Sequence, residues 1–393
     1  MSTAATERPS PLPIWKRLLY SAIVLATLLT SLELLTRWTG ADRLLFPHAF
    51  EDPYEKGKGG WWSLLSYDPV LDWRGRAFAR LPGTDELLNE RGFRGSDFRD
   101  QKPPGLRRVV CMGDSATFGL VHHGGFQFTY TPTYSSELQR LLNTHDARQE
   151  VHVVNAGIIG YSTTEGLRLL KHEVRYWHPD VITLRYGIND HLKKSVGYLQ
   201  DFEPHSAILR WSEDSLFDLY IFQLFVRLKN VPLLAAVAAL PAPDDTAPPA
   251  EGPVEVRVPL PDFEYNLRRL VVECRATGAK VVLMTAPLAP LVLEITSDRK
   301  KLRALGYPTY EDLVAEHRRY EDVVRAVAAD LSVDLVDSSR ELAARGLEQF
   351  FTRYDLAHPN GDGHVAIAQD LAALIRSKQL IPDTAPDDAR ATP

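Results

Sequence analysis

A serine, an asparagine, an aspartate and a histidine, met in that order along this chain, have the side chains needed to cleave an acyl bond. Such chemistry requires a nucleophile, a base to take its proton, a carboxylate to orient that base, and donors for the developing oxyanion. The serine is Ser115, in Met112-Gly113-Asp114-Ser115-Ala116-Thr117-Phe118-Gly119. Gly113 permits a tight strand-to-loop turn, and a helix starting just beyond would aim backbone N–H groups at the neighbourhood of the serine oxygen. The base and its partner fall in Asp355-Leu356-Ala357-His358-Pro359-Asn360. An Asp three residues before a His can fold back to accept the imidazole Nδ1–H, leaving Nε2 to face the serine. Pro359 keeps this segment extended or turn-like. Two further loops offer donors. Gly157, in Val154-Asn155-Ala156-Gly157-Ile158-Ile159-Gly160, offers an unhindered backbone N–H, and Asn189, in Tyr186-Gly187-Ile188-Asn189-Asp190, offers its side-chain N–H. Asp190 reads as an acceptor that pins the loop. Taken singly, each segment has a plainer reading as a helix cap, a turn glycine or a surface turn.

The elements between these segments say how they are brought together. Apolar runs at 108–112, 151–155, 181–186, 280–285 and 333–336 read as buried parallel strands. Helical patterns occupy 134–142, 164–176, 263–276 and 310–330, and a last helix spans about 363–377. Alternating strand and helix predicts an α/β sheet covered on both faces. In such a sheet the carboxyl ends of the strands collect the functional groups, and three of the four segments follow a strand while the fourth precedes the last helix.

Taken together, Gly-Asp-Ser, a glycine loop, Gly-x-Asn-Asp and Asp-x-x-His-Pro-Asn resemble the block pattern of the SGNH (GDSL-like) hydrolase superfamily over about residues 107–380. The resemblance implies a three-layer α/β/α, flavodoxin-like fold around a central parallel sheet of about five strands, and ester hydrolysis without a cofactor. It implies Ser115 as nucleophile, His358 as base and Asp355 as its partner. The oxyanion hole would be the N–H groups of Ser115 and Gly157 with the Asn189 side chain, supported by Asp114 and Asp190. An O-acyltransferase would use the same residues, differing in the exclusion of water from the acyl-enzyme. A non-catalytic envelope-binding module is the third reading, and would tolerate losing a member of the set. The segment Asn89-Glu90-Arg91-Gly92-Phe93-Arg94-Gly95 also resembles that of membrane-anchored bacterial members.

The N-terminus bears on location. Arg8, Lys16 and Arg17 precede an uncharged apolar stretch at 18–32, Glu33 interrupts it, and Trp15 and Trp38 bracket it like interfacial anchors. The span approaches the ~20 residues a bilayer needs. An uncleaved anchor, a cleaved signal peptide and a soluble helix all suit it. The anchor is favoured because the best cleavage candidate, Val24-Leu25-Ala26, falls inside the apolar run. Basic residues before the stretch favour a cytoplasmic N-terminus, with the bulk of the chain extracytoplasmic. The expected organisation is a short cytoplasmic tail (1–14), an anchor (15–38) and an irregular lead-in with short strands (39–105), including the segment 89–95. A hydrolase domain (106–380) with an insertion at about 195–260, and a disordered tail (381–393), complete it. Within the insertion, 216–240 is unusually apolar and reads as packed helices or, less simply, a lid; 241–253 is a Pro/Ala/Asp loop.

A formal net charge of −6 gives no basic footprint, which disfavours nucleic acid as a partner. Expected partners are a small-molecule, glycan or lipid ester, and the membrane. The two cysteines, Cys111 and Cys274, read as buried packing residues. His364 reads as a packing residue, and His122 and His123 as exposed or pocket-lining. No cluster has metal-ligand spacing, and neither a Gly-x-Ser-x-Gly elbow nor a Walker loop is present.

Overall fold

The apolar N-terminal stretch forms one continuous helix, α1 (Ile14–Thr39), in the computed structural model. The structure describes residues 13–39, 61–68, 71–123, 128–145, 150–193, 216, 219–222, 224–225, 256–289, 302 and 305–381. The chain divides into two compact units, Met1–Pro47 with Pro204–Ala238, and His48–Glu203 with Ala239–Pro393. Of the expected features, the tail at 382–393, the loop at 241–253 and most of the insertion and of 216–240 lie outside the described residues.

In the first unit, the 26 residues of α1 extend about 39 Å at ~1.5 Å per residue, more than the ~30 Å hydrocarbon core of a bilayer. Its apolar side chains, including Leu18, Ile23, Val24 and Leu28, are exposed. It is the one described helix long and apolar enough to cross a membrane. Glu33 is not left as a bare charge on it. Its carboxylate accepts from Arg37 Nε at 2.5 Å and from the backbone N–H groups of Tyr220 (3.1 Å) and Ile221 (2.9 Å). The Arg37 guanidinium also lies 4.5 Å from the centre of the Tyr220 ring.

The first strands described in the second unit are an antiparallel pair, β1 (Leu65–Asp68) and β2 (Asp72–Gly75). Next come β3 (Arg107–Gly113), a single helical turn α2 (Ser115–Phe118), and a second antiparallel pair, β4 (Leu120–His122) and β5 (Phe128–Tyr130). Then α3 (Tyr134–His145), β6 (Val151–Gly157), α4 (Thr163–His172), β7 (Val181–Arg185) and α5 (Ile188–His191) follow. The remaining described strands and α-helices are α6 (Leu260–Ala276), β8 (Lys280–Met284), α7 (Tyr310–Asp330), β9 (Asp334–Val336), α8 (Ser338–Ala344) and α9 (Gly361–Ser377).

Five strands form one sheet in the order β6-β3-β7-β8-β9, every neighbouring pair parallel. The strands are apolar on both faces because both are covered. Val110, Met112, Ile182, Leu184, Val281 and Leu283 pack with α4, α6 and α7. Their chain neighbours Val109, Cys111, Val181, Val282 and Met284 pack with α3 and α9. This is the expected three-layer α/β/α arrangement. The chain leaves β3 for β6 on one side and then crosses to β7 on the other, so the carboxyl end of β3 is the switch point where such sheets open a crevice.

Residues ahead of the sheet are more than a lead-in. Leu71, Trp73, Phe93 and Phe98 belong to the same core as β3 and β6. Trp73 Nε1 donates to the Ile159 carbonyl at 2.8 Å, and the Tyr161 hydroxyl donates back to the Trp73 carbonyl at 2.6 Å. The segment 89–95, expected to include strand, is instead a turn. Asn89 Oδ1 accepts from the N–H groups of Arg91 and Phe93, both at 3.0 Å. A short amide side chain thus takes donors that a ladder would need, leaving one bridge, Arg94 to Asn155.

Candidate active site

The position of Ser115 follows from how β3 ends. Asp114, in extended conformation, caps α2 by accepting the Ala116 N–H at 2.9 Å, a frequent N-cap choice. Ser115 is therefore the first residue of the turn, half-buried, with its side chain at the carboxyl edge of the sheet. Its Oγ lies 2.7 Å from His358 Nε2, across 243 residues of chain.

His358 is oriented by a carboxylate that is itself fully held. Asp355, 2% exposed, accepts through Oδ1 from His358 Nδ1 at 2.8 Å and from the N–H groups of His358 (3.0 Å) and Ala357 (3.1 Å). Its Oδ2 accepts the His122 N–H at 2.6 Å. His122, on β4, is held in turn: its Nδ1 donates to the Tyr354 carbonyl (2.9 Å) and its own carbonyl accepts from Thr352 Oγ1 (2.7 Å). His122 is thus a buttress for the carboxylate rather than an exposed side chain, whereas His123 is exposed, 2.7 Å from Thr129 Oγ1.

Burial alone would lower the pKa of His358, but the charge and hydrogen bond of Asp355 outweigh it and hold the imidazole above its ordinary value, with Asp114 adding and Arg185 opposing. For Asp355, burial would raise the carboxyl, yet the His358 charge and the converging N–H donors keep it below the usual range. With Nδ1–H committed to the carboxylate, Nε2 is free to accept the Ser115 proton.

The expected oxyanion donors are distributed differently from the sequence reading. Gly157 spends its N–H on Asn155 Oδ1 at 3.0 Å. Its lack of a side chain serves close approach, since a Cβ there would sit 2.5 Å from Phe118 N. Three residues on, Gly160 has φ +84, a left-handed conformation that glycine adopts without strain. Its carbonyl accepts from Arg257 (2.8 Å) while its N–H, like that of Ser115, has no partner among the described residues. Asn189 donates its Nδ2 to the Tyr161 carbonyl at 2.9 Å, which joins it to the Gly160 loop and leaves a second N–H on that nitrogen. Fully buried Asp190 pins the same region, accepting from Thr163 N (2.9 Å), Thr163 Oγ1 (2.5 Å) and Gly187 N (3.1 Å). Burial pushes its carboxyl up to about 7 despite those donors.

Arg185 was missed by motif reasoning. It ends β7, is 1% exposed, and places its guanidinium 3.5 Å from Asp114 Oδ1 with no hydrogen-bond partner on any of its three nitrogens among the described residues. The signal was a charged residue inside a strand otherwise apolar. His364, at the start of α9, accepts the Tyr134 N–H at 3.0 Å, stacks on the Tyr134 ring, and is pushed down by burial to about 3. It is a neutral packing residue. Cys111 and Cys274 are free and buried.

Residues 111–366 match the model of the GDSL-like Lipase/Acylhydrolase family. Similar solved structures include a catalytic mutant of Axe2, an acetylxylan esterase from Geobacillus stearothermophilus, 18% identical, covering 68% of this chain and 94% of that one, with a TM-score of 0.40. A lipase/acylhydrolase from Enterococcus faecalis is 18% identical, covering 71% and 100%, with a TM-score of 0.43. LAE5, an alpha/beta hydrolase from the metagenome of Lake Arreo, Spain, is 20% identical, covering 68% and 94%, with a TM-score of 0.41. No curated protein matches the chain.

Proposed function

The chain belongs to the GDSL-like lipase/acylhydrolase family and acts on ester bonds, and on that premise we propose that it is a membrane-tethered serine esterase working through an acyl-enzyme on Ser115, outside the cytoplasm. The observation that carries the reading is the continuous relay from Ser115 Oγ to His358 (2.7 Å) and from His358 to Asp355 (2.8 Å).

His358 Nε2 takes the Ser115 proton as Oγ attacks the ester carbonyl. The N–H groups of Ser115 and Gly160 and the free N–H of Asn189 receive the negative charge that forms on the carbonyl oxygen. Collapse expels the alcohol, protonated by the imidazolium, and leaves the acyl group on Oγ. Water, deprotonated by the same Nε2, then releases the acid and restores the serine. Asp355 keeps the proton on Nδ1 throughout and stabilises the imidazolium in both halves.

The test is the pH dependence of kcat/KM on small aryl esters. His358 must be neutral to act as base, so activity is lost as pH falls through its free-enzyme pKa. With Asp355 beside it, the acid-side midpoint is expected above the ordinary histidine value of about 6.5. A midpoint below that value, or no acid limb, contradicts the relay.

The tether rests on α1. A cleaved signal sequence has no reason to pair with the mature chain, whereas Glu33 accepts two N–H groups from residues 187 and 188 positions away. The basic residues preceding α1 favour a cytoplasmic N-terminus. The full-length chain is expected to stay in the membrane fraction after an alkaline wash, with a reporter fused after Pro393 active only outside the cytoplasm. A reporter active only inside, or a soluble chain trimmed within α1, contradicts the tether. An acylated glycan or lipid of the envelope is the substrate class such a location would present.

A further inference from the structure

Two buried histidines behind the oxyanion loop are arranged to hold more protons than two neutral imidazoles carry. His191 closes α5, two residues after Asn189, and is fully buried; His317, on α7, is 3% exposed. Their rings meet edge to face, with His191 Nε2 2.9 Å from His317 Nδ1. On the outer sides, His191 Nδ1 is 2.9 Å from the Tyr307 hydroxyl and His317 Nε2 is 2.6 Å from the Ala286 carbonyl.

Making all of these contacts as hydrogen bonds sets a proton count. The Tyr307 hydroxyl gives its single proton to the His191 carbonyl at 2.6 Å, an oxygen that can only accept. It must therefore accept from His191 Nδ1, which carries a proton. The Ala286 carbonyl also only accepts, so His317 Nε2 carries one. The 2.9 Å contact between the rings needs a third. Three protons on four ring nitrogens make one positive charge; with two, bare lone pairs would face each other across that contact. Glu321 Oε1 lies 3.5 Å from His317 Nε2 as the counter-charge, itself held by Arg325 and the Ser339 hydroxyl.

The pair joins the two arms of the site. On one side it holds α5, which carries Asn189. On the other it holds Ala286, in a run after β8 whose Ala289 N–H donates to the Leu356 carbonyl at 2.8 Å, next to Asp355. We propose that His191 and His317 form an imidazole–imidazolium pair whose single extra proton positions the oxyanion arm against the catalytic-histidine arm, and that catalysis falls when that proton is lost. The catalytic part rests on the reading of Asn189 and His358 above.

Among the described residues, the ionisable groups around the pair and its tyrosines include Asp190 on its own helical turn, Tyr307, and Tyr320, Glu316, Glu321 and Arg325 on α7. Burial pushes both tyrosines above their ordinary value, and Glu321, which burial would raise, is held below its own by His317, Ser339 and Arg325. Burial pushes Asp190 up to about 7. Burial and the His317 charge hold His191 well below the usual value.

The proton is read directly by ring-¹⁵N histidine NMR of the full chain at the pH of maximal activity. The expected result is one histidine protonated at both nitrogens, coupled through its Nδ1–H to a second that is bare at Nε2. Two neutral rings would overturn the proposal, whatever the activity shows. For the catalytic part, His317→Leu is expected to lower kcat about 10- to 100-fold with little change in KM, the scale of a misplaced catalytic group, and to abolish the alkaline limb of the wild-type profile. Asn189→Ala alone is expected to cost about 100- to 1,000-fold, and adding His317→Leu to it is expected to cost little more, because both act on one arm. Losses that multiply, or an alkaline limb kept in His317→Leu, would overturn the positioning role. A full-activity Asn189→Ala would instead reject the oxyanion reading, with the NMR result standing by itself.

Discussion

Replacing Ser115 with alanine is expected to reduce kcat for a soluble ester by about 10⁶-fold, the scale seen when a serine nucleophile is removed from an otherwise intact relay. The proposed oxyanion donors and His358 remain, so the residual rate should still exceed that in water by about 10³- to 10⁴-fold. KM should change little, since Oγ contributes to bond formation more than to holding the ester. The fold should tolerate the change. It is Asp114, and not Ser115, that caps α2, and the serine hydroxyl's partner among the described residues is His358. Steady-state kinetics beside a thermal melt checks both halves. A variant that melts like the wild type and keeps more than a small fraction of the rate would remove Ser115 from the chemistry.

Asp355→Asn is expected to cost about 10⁴-fold in kcat, through the tautomer of His358 rather than through any loss of contact. The carboxylate accepts from four donors, three on Oδ1 and the His122 N–H on Oδ2. An amide supplies one acceptor atom and one donor atom in the same space. If its NH₂ faces His122, two donors oppose each other in a buried site, an arrangement that destabilises the loop. If it faces His358, it opposes the Ala357 and His358 N–H groups that Oδ1 accepts in the native chain, and where it donates to Nδ1 the ring proton moves to Nε2, confronts Ser115 Oγ and the base is lost. Either arrangement also removes the charge that raises the His358 pKa, so the acid limb of the residual activity should move to lower pH. A loss of less than about tenfold, with the acid limb unmoved, would show that Asp355 does not orient the base.

Much of this site was legible in the sequence, for identifiable reasons. Buried parallel strands leave continuous apolar runs, and all five strands of the sheet were readable as such; α7 was read at its full length because its periodicity runs unbroken from Tyr310 to Asp330. The relay was readable because Asp355 and His358 are local to each other and each chemical role admits few residue types. What escaped depends on conformation and long-range contact. Gly157 and Gly160 lie in one loop, and only the backbone distinguishes the glycine that seats β6 against α2 from the one with φ +84 and an uncommitted N–H. The core role of Trp73 rests on bonds to Ile159 and Tyr161, nearly ninety residues on, which no local pattern announces. His191 and His317, 126 residues apart, look in sequence like two unrelated histidines. Arg185 was visible as a charge in a buried strand, but its counter-ion Asp114 emerged only from the register that sets β7 beside β3.

The central claim is that Ser115 is a nucleophile activated by His358. The most direct measurement is labelling of the full-length chain by a fluorophosphonate, followed by peptide mapping. The expected result is one adduct per chain, on the peptide containing Ser115, formed by native protein, lost on denaturation and absent from Ser115→Ala. Esterase activity accompanied by an adduct at another residue, or by no adduct under native conditions, would contradict the account.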